Sequence, residues 1–380
     1  MRAWLGTTSF DEAIHRMVTV YDEGHRVIVS FSGGKDSTIA LEVCLIAAAE
    51  TDKLPVEVIM RDEEIMFPGT FEYCERVAAR DEIDFHWVIA KQPVINVFNR
   101  RDPFVWVFDD RLPPDEWVRQ PPSYAYEIRV NNIQALTSPS LFPPPEGRFT
   151  VCVTGIRADE SPNRIRGIHS SGGFLTKPSR FGFRYARPIY DMSDGGVWKA
   201  ILENTWDYNQ AYDVMNRFKV ARRNMRIAPP TQRAAQLEVL TIAARAYPQW
   251  FNKVAERCPG TRAAVHFGRV VLEPRRNLGE PWSSVFQREC IDDAPPWIAD
   301  RCTRAAADII KKHNSHSSQP FPEARQCVRC GTIGSWMRMS KDLYTGDPFS
   351  FSMPIPQVEP NDPLVGREGA GTWDGGRATW

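Results

Sequence analysis

The first ninety residues alternate between short apolar segments and segments with helical periodicity, and this alternation limits the fold more than any other feature. Strand-like runs rich in Val, Ile and aromatic residues lie at 26–31, 56–60 and 84–90. Helical patterns lie at 9–25, 35–50 and about 68–80, the first with capping-box spacing between Ser9 and Glu12. Such alternation predicts a parallel sheet with helices on both faces, an α/β fold.

The alternating pattern stops after residue 91. Residues 92–148 are rich in Pro, Trp, Asn and Arg, and they are too many for an ordinary connection, so we expect an insertion with short elements of its own or a substrate-facing lid. The sheet pattern resumes at 149–155, which predicts an α/β domain over 1–235. A C-terminal region follows over 236–353, mostly helical or irregular and containing cysteines, and a Pro/Gly-rich tail covers 354–380.

Composition excludes several classes of protein. The 380 residues contain 47 Lys plus Arg and 47 Asp plus Glu, so the total charge gives no sign of a nucleic acid or a membrane surface as partner. The longest apolar run, IALEVCLIAAA, is too short to cross a bilayer, and the start of the chain has no signal-peptide core. Eight cysteines do not make a disulfide scaffold of this length. We expect a cytoplasmic protein with reduced thiols and no membrane partner.

A glycine turn joins the first predicted strand to the following helix, in the stretch VIVSFSGGKDST (27–38). Gly33 and Gly34 allow backbone amides to approach phosphate oxygens, and the helix amino terminus adds the positive end of its dipole. Lys35 supplies a cation, Ser37 a hydroxyl group, and Asp36 a ligand for Mg²⁺. The other interpretation is a turn that only packs a helix against a strand.

The turn is not a Walker A loop, because the four-residue spacer of that motif is missing. The string S-G-G-K-D-S, Ser32 to Ser37, resembles the PP-loop of the ATP pyrophosphatases. The resemblance implies that the turn binds the β,γ-pyrophosphate of ATP as a leaving group while AMP passes to an acceptor.

Two further polar clusters follow predicted strands. Arg61 and Asp62 come directly after the second strand, and VTGIRADESPNR (153–164) follows the strand at 149–155. Because ligands bind at the carboxyl edge of a parallel sheet, we expect both clusters to face the glycine turn. The second cluster supplies these candidate residues for an anionic ligand and its metal: Gly155, Arg157, Asp159, Glu160 and Arg164.

Four ordered motifs resemble the phosphoadenosine phosphosulfate (PAPS) reductase family of the PP-loop superfamily. They are S-G-G-K-D-S, F-P-x-T-x-E-Y at 67–73, G-I-R-x-D-E-S-P-x-R at 155–164 and P-I-Y-D-x-S-x-x-x-V-W at 188–198. The resemblance covers about residues 9–235. It implies a Rossmann-like sheet of the HUP type, with an adenine nucleotide across its carboxyl edge. It also implies that the residues of the glycine turn hold the phosphates, while Arg157 and Arg164 contact the anionic end.

The chain departs from that family in one motif. The E-C-G-[IL]-H segment of the reductases, whose cysteine attacks the sulfonate, is absent, and the nearest string is CVRCGTIG at 327–334. The chain more closely resembles the phage- and prophage-borne branch that includes the sulfurtransferases of DNA phosphorothioation. That branch implies a DNA-acting or ParB-like protein partner.

Three functions follow from these observations. The first is a nucleotidyl or sulfur transferase that uses ATP or a related nucleotide with Mg²⁺. It would release pyrophosphate and adenylate an unknown acceptor. The sequence leaves open whether it then passes sulfur to that acceptor. Its catalytic residues would be Lys35, Asp36, Arg157 and Arg164. The second is a thiol-dependent PAPS reductase that forms sulfite. The third is a non-catalytic nucleotide-sensing subunit of a DNA-acting complex.

The cysteines of the C-terminal region allow several interpretations. Cys327 and Cys330 form a C-x-x-C pair, and Cys290 and Cys302 lie upstream, so four thiolates could bind zinc or an iron–sulfur cluster, with His313 and His316 as substitute ligands. The alternatives are a redox-active dithiol, or buried cysteines next to an inert turn.

Tryptophan and arginine occur together at 100–117, and RFKVARRNMR (217–226) is a second basic patch. Aromatic rings interleaved with arginine bind single-stranded nucleic acid. Because the total charge is zero, we favour the alternative that these arginines line a solvent-facing surface or the nucleotide pocket.

Overall fold

The computed structural model describes residues 7–130, 133–327 and 334–348. Contacts divide the chain into two units. The first comprises the described residues up to Lys91 together with Arg119–Pro229, and the second comprises Gln92–Val118 and the described residues from Pro230 onward. The segment 92–148, which the sequence sets apart, is therefore divided between the two units after Val118. Within the described ranges, no helix combines the length and the apolar character that a membrane span needs.

The strands in the described ranges are short. They are β1 (Arg26–Ser30), β2 (Val56–Arg61), β3 (Ile83–Ile89), β4 (Pro93–Ile95), β5 (Phe104–Trp106), β6 (Tyr126–Glu127), β7 (Thr150–Val153) and β8 (Arg184–Ala186).

The α-helices are α1 (Ser9–Asp22), α2 (Lys35–Glu50), α3 (Thr70–Ala78), α4 (Pro162–Ser170), α5 (Asp194–Glu203), α6 (Ala211–Arg217), α7 (Leu237–Ala246), α8 (Pro248–Arg257), α9 (Thr261–Phe267), α10 (Trp282–Phe286), α11 (Pro296–Asn314) and α12 (Trp336–Leu343). Short 3₁₀ turns cover Pro114–Glu116, Ile133–Thr137, Ala158–Glu160, Arg222–Asn224, Ala234–Gln236 and Gly268–Leu272, and Gln287–Asp292 is a π-helical turn.

The first unit contains a parallel six-stranded sheet in the order β6-β3-β2-β1-β7-β8. In the centre, Val29 of β1 pairs with Val58 of β2 on one side and with Val153 of β7 on the other. These residues are fully buried, as expected for strands covered on both faces. The predicted Rossmann-like α/β fold is confirmed.

Helix α2 is the central helix of the first unit. Its side chains from Ile39 to Cys44 are buried on all sides, and it packs against α1. Each fully buried aliphatic side chain of this kind contributes about 1.5–3 kcal/mol relative to an exposed one. This burial fixes the start of α2, and therefore the glycine turn, against β1.

Helix α1 begins with a capping box, but not the predicted one. Thr8 accepts from the amide of Asp11 at 3.1 Å, and the Asp11 carboxylate accepts from the Thr8 amide at 3.1 Å. The predicted Ser9–Glu12 box was wrong by one residue, because Thr8 and Asp11 have the same spacing and provide the same two hydrogen bonds.

The second unit is mostly helical, as the sequence predicts. Its β4–β5 hairpin contributes Ile95 and Phe104 to a buried cluster with residues of α7, α8 and α9. A second buried cluster surrounds α11 and α12, and there the Arg301 side chain, only 1% exposed, donates to the carbonyl oxygens of Gly346 and Asp347.

Candidate nucleotide site at the carboxyl edge of the sheet

The glycine turn follows β1, and α2 begins at Lys35. Gly33 has φ of +70°, and a Cβ at this position would lie 2.9 Å from Cγ2 of Thr70 and 3.0 Å from Sγ of Cys74. Both the backbone conformation and the lack of space therefore require glycine here.

The Ser37 hydroxyl group holds the turn in shape. Its Oγ accepts from the amides of Ser32 (3.3 Å) and Gly34 (3.2 Å) and donates to the carbonyl oxygen of Gly34 (2.9 Å). Ser37 thus orders the backbone that faces an anion, while the first amides of α2 have no acceptor inside the helix.

Two residues far along the chain support the turn, and the sequence analysis assigned them no role. Asn209 donates from Nδ2 to the carbonyl oxygen of Gly33 and to Oγ1 of Thr70, both at 3.0 Å. The Tyr212 hydroxyl oxygen accepts from the Lys35 amide at 3.2 Å. Burial raises the pKa of Tyr212, so its hydroxyl stays neutral. Both residues come shortly after the P-I-Y-D-x-S-x-x-x-V-W motif, and this position in the sequence is the feature that could have indicated their role in the site.

Two cations and two carboxylates meet in front of the turn. Lys35 Nζ lies 2.8 Å from Asp36 Oδ2 and 3.0 Å from Asp194 Oδ1. Arg157 Nε lies 2.6 Å from Asp36 Oδ1, and its Nη2 lies 3.4 Å from Asp194 Oδ1. The Arg157 side chain is only 4% exposed, so this charge network is shielded from solvent on its arginine side. Asp194, in the first turn of α5, was missed by the sequence analysis.

Gly155 lets the segment after β7 approach the start of α2. A Cβ on Gly155 would lie 2.6 Å from the carbonyl carbon and oxygen of Asp36 and 2.8 Å from the Ser37 amide nitrogen. The neighbouring Thr154 Oγ1 is buried and has no hydrogen-bond partner in the described part of the chain. An unsatisfied buried hydroxyl is a feature that a bound ligand would explain.

The remaining residues of the 157–164 cluster mainly contact each other. Glu160 accepts from the Arg157 amide at 3.0 Å and lies 3.6 Å from Arg164. Asp159 accepts from the Asp194 amide at 3.0 Å and lies 3.7 Å from Nη1 of Arg157. These two carboxylates therefore position Arg157, Arg164 and the start of α5.

A further cation, Arg187, lies close to Arg164. Burial lowers the pKa of Arg187, and the positive charge of Arg164 lowers it further. The Arg187 Nε is buried without a hydrogen-bond partner among the described residues, while one Nη atom donates to Ser171 at 2.7 Å. Two repelling guanidinium groups at the same sheet edge favour an anion between them.

Arg61 is the last residue of β2 and Asp62 follows it at the same edge of the sheet, but both have partners within the protein. Arg61 pairs with Glu63. Asp62 is 1% exposed, pairs with Arg119 and accepts from Nε1 of Trp87 at 2.8 Å. Burial raises the pKa of Asp62, and the charge of Arg119 opposes that shift.

The cysteines of the second unit lie in different environments. Cys290 and Cys302 are fully buried in the apolar cluster around α11, with their sulfur atoms 3.6 Å from the carbonyl oxygens of Ser340 and Leu343. The adjacent Cys290 thiol and burial raise the pKa of Cys302. Cys327 is half-buried, and Cys330 lies outside the described residues. Across those residues, no three His, Cys, Asp or Glu side chains come together as a metal site.

Comparison of the sequence with known proteins gives a partial match. No family model matches the chain. The uncharacterized protein YbdN of Escherichia coli (strain K12) is 30% identical over 234 residues, and the match covers 54% of this chain and 54% of YbdN. The chain thus matches about half the length of this curated relative.

Comparison with solved structures gives distant likenesses. The FMN adenylyltransferase of Candida glabrata shares 15% identity at a TM-score of 0.35, over 55% of this chain and 62% of that one. The PAPS reductase of Candida auris, in a phosphate complex, shares 16% identity at a TM-score of 0.32, over 56% of this chain and 93% of that one. The U34-tRNA thiolase NcsA of Methanococcus maripaludis, with its [4Fe-4S] cluster, shares 14% identity at a TM-score of 0.28, over 71% of this chain and 82% of that one.

Proposed function

We propose that this protein is a PP-loop enzyme that binds ATP, transfers AMP to an acceptor and releases pyrophosphate. The observation that carries the proposal is the convergence of Lys35 and Arg157 on the glycine turn, at the carboxyl edge of a parallel sheet. Gly33 and Gly34 carry no side chain that would cover the amides at the start of α2, so phosphate oxygens can approach these amides.

The reaction needs stabilisation of charge rather than a covalent intermediate. A nucleophile of the acceptor attacks the α-phosphorus of ATP, the bond from this phosphorus to the α,β-bridging oxygen breaks, and pyrophosphate leaves with both electrons of that bond. Lys35 and the amides at the start of α2 would neutralise the leaving pyrophosphate, and Arg157 would contact the α-phosphate. Arg164, next to Arg187, would orient the anionic part of the acceptor. Sulfur transfer would be a second step, in which a sulfur nucleophile displaces AMP from the acceptor.

The charge count in the site supports a role for Mg²⁺. Among the described residues, the carboxylates of Asp36, Asp159 and Asp194 pair with two cations, Lys35 and Arg157, so this group of five side chains has one negative charge in excess. A polyphosphate alone would be repelled by this excess. Carboxylates together with phosphate oxygens are the usual ligands of Mg²⁺, and the residues that would hold it are Asp36 and Asp194. The metal would supply positive charge next to the phosphates.

A pair of variants tests these roles. We expect Lys35→Ala to weaken ATP binding, because it removes the cation nearest the turn, and Asp36→Ala to abolish Mg²⁺-dependent pyrophosphate release. Lys199→Ala is the matched control, because Lys199 lies on α5, is 70% exposed and is 3.7 Å from Glu203. If both site variants behave like the control, the turn has no part in the mechanism.

A product assay with ATP and with PAPS in parallel separates the proposed function from its alternatives. Pyrophosphate and AMP from ATP support the proposal. Sulfite from PAPS with a thioredoxin-type donor contradicts it and indicates a reductase, for which Cys327 is a candidate nucleophile because the other described cysteines are buried. Loss of sulfite formation in a Cys327→Ser, Cys330→Ser double variant would assign the thiol. Tight ATP binding without any product would indicate a nucleotide-sensing subunit.

A further inference from the structure

The segment from α6 to the end of the first unit has an unusual charge composition. Residues 214–229 contain five cations and no Asp or Glu, although cations and acids balance over the whole chain. The five are Arg217, Lys219, Arg222, Arg223 and Arg226. We refer to residues 217–226 as the basic loop.

The basic loop is built to present its cations to solvent. Val220 and Ile227 are buried, at 4% and 6% exposure, and they attach the loop to the unit. Between and around them, Arg217, Lys219, Arg222 and Arg226 are all exposed. In the described structure, none of these four side chains has an ion pair or a hydrogen bond. Arg61, Arg76 and Arg164 of the same unit each pair with a carboxylate, whereas the uncompensated positive charge of the basic loop would attract an external anion.

The basic loop ends beside the glycine turn. Ile227 accepts at its carbonyl oxygen from the Phe67 amide at 3.0 Å, and its Cδ1 lies 3.5 Å from the position that a Cβ on Gly34 would take. The charge of Arg226 acts on Tyr212, lowering the pKa that burial raises. A polyanion bound along the loop would therefore reach the entrance of the proposed nucleotide site.

The side-chain chemistry of the loop favours a nucleic acid over an acidic polypeptide. Phe218, 42% exposed, lies between Arg217 and Lys219, so an aromatic face for base stacking stands between two phosphate-binding cations. Four of the five cations are arginines, which bind phosphate with two parallel hydrogen bonds and also stack on bases.

We propose that the basic loop binds a single-stranded nucleic acid, and that this nucleic acid is the acceptor of the reaction. The assignment of the acceptor rests on the proposed function, whereas the binding surface does not. The backbone phosphates of the nucleic acid would pair with the exposed cations, and one base would stack on Phe218. These contacts would lead the strand toward the α-phosphate of ATP.

The binding test uses the full chain without ATP and fluorescein-labelled single-stranded DNA and RNA 20-mers. Each cation that neutralises a phosphate lowers the slope of log K against log salt by about 0.7 for single strands. We therefore expect Arg217→Gln, Lys219→Gln to bind at least tenfold more weakly, with the salt slope reduced in magnitude by about 1.4. Phe218→Ala should weaken binding without changing the slope.

The matched control is Lys53→Gln, Lys199→Gln, which removes two exposed cations of the same unit that lie outside the loop. It should bind like the wild type. An equal loss of oligonucleotide affinity in both double variants, or no loss in either, would contradict the proposal that the basic loop is the binding surface. Competition by polyglutamate as strong as that by oligonucleotide would also overturn it in favour of an acidic protein. Thermal melting of every variant shows whether it is folded.

The acceptor assignment has its own readout. With ATP and Mg²⁺, the oligonucleotide that binds best should stimulate pyrophosphate release, and Arg217→Gln, Lys219→Gln should raise its apparent KM with little change in kcat. Oligonucleotide binding without any pyrophosphate release would contradict the proposed function but not the surface. Pyrophosphate release that is independent of the oligonucleotide would contradict the proposal that the nucleic acid is the acceptor.

Discussion

Replacing Gly155 by alanine adds one methyl group where the segment after β7 touches the start of α2. The new Cβ would lie 2.6 Å from two carbonyl atoms of Asp36 and 2.8 Å from the Ser37 amide nitrogen. Main-chain atoms cannot rotate aside as the end of a flexible side chain can. One of the two segments must therefore move by roughly half an ångström or more to lengthen these contacts past 3.0 Å, below which Cβ atoms are essentially never found.

The expected effect on ATP follows from that displacement. The amides of Asp36 and Ser37 belong to the first turn of α2, which we propose holds the phosphates. Because a misplacement of about 1 Å costs roughly 100-fold in rate, half of it costs about tenfold. Overpacking also costs about 1–3 kcal/mol of folding free energy, so the melting temperature should fall by several degrees.

Gly167→Ala is the control for this variant. Gly167 lies in α4, and a Cβ there meets no atom within 4 Å. A pyrophosphate-release assay should show Gly167→Ala unchanged and Gly155→Ala slowed about tenfold, and calorimetric titration should show weaker ATP binding in Gly155→Ala alone. Wild-type ATP affinity in a folded Gly155→Ala protein would refute the placement of the phosphates at this turn.

Three further variants test other parts of the account. Asn209→Ala should lower the free energy of unfolding by about 1–3 kcal/mol and weaken ATP binding, because it leaves the buried Gly33 carbonyl oxygen without its donor; unchanged melting and titration curves would contradict this. His25 accepts from the Phe149 amide at Nδ1 (3.2 Å), and burial lowers its pKa. The unfolded chain therefore binds this proton first as the pH falls, so stability should decrease below about pH 6.5 and His25→Gln should lose that dependence, as urea unfolding across pH would show. Metal analysis of anaerobically purified protein tests the cysteine hypothesis: zinc, or iron with labile sulfide, that is lost in Cys327→Ser would support a metal site, and finding none would remove it.

The sequence was sufficient for the sheet and the turn because both depend on local patterns. Helix α2 has the predicted bounds, since it starts directly after Gly34, which forms its N-cap, and ends before Thr51. Helices α1 and α3 are shorter than predicted by two or three residues at some ends, as with α3, which begins at Thr70 after the left-handed Gly69 rather than at Pro68. Polar residues at helix ends do not specify a single boundary.

The sequence could not give the partners of the site residues. Asn209 and Tyr212 lie about 180 residues from the turn they support, and only the packing of α6 against the start of α2 brings them there. Asp194 lies about 160 residues from Lys35, and it follows Asp191, which pairs with Arg16 instead. Nothing in the local sequence distinguishes the acidic residue that faces the site from the one that holds α1.

Composition was also a weak guide to surface charge. The balance of 47 cations and 47 acids is an average over the chain, and it hides a 16-residue stretch with five cations and no acid at 214–229. The favoured alternative, a solvent-facing surface, agrees with the exposure of Arg217, Lys219, Arg222 and Arg226. The structure adds that these side chains have no carboxylate partners among the described residues, which the sequence alone cannot show.

The most direct test of the central claim is a crystal structure of the full chain with a non-hydrolysable ATP analogue and Mg²⁺. The account predicts phosphate oxygens within hydrogen-bond distance of the amides at the start of α2 and of Lys35 Nζ, with Asp36 near the metal. An analogue bound elsewhere, with Lys35 and Arg157 still paired to Asp36 and Asp194, would contradict it.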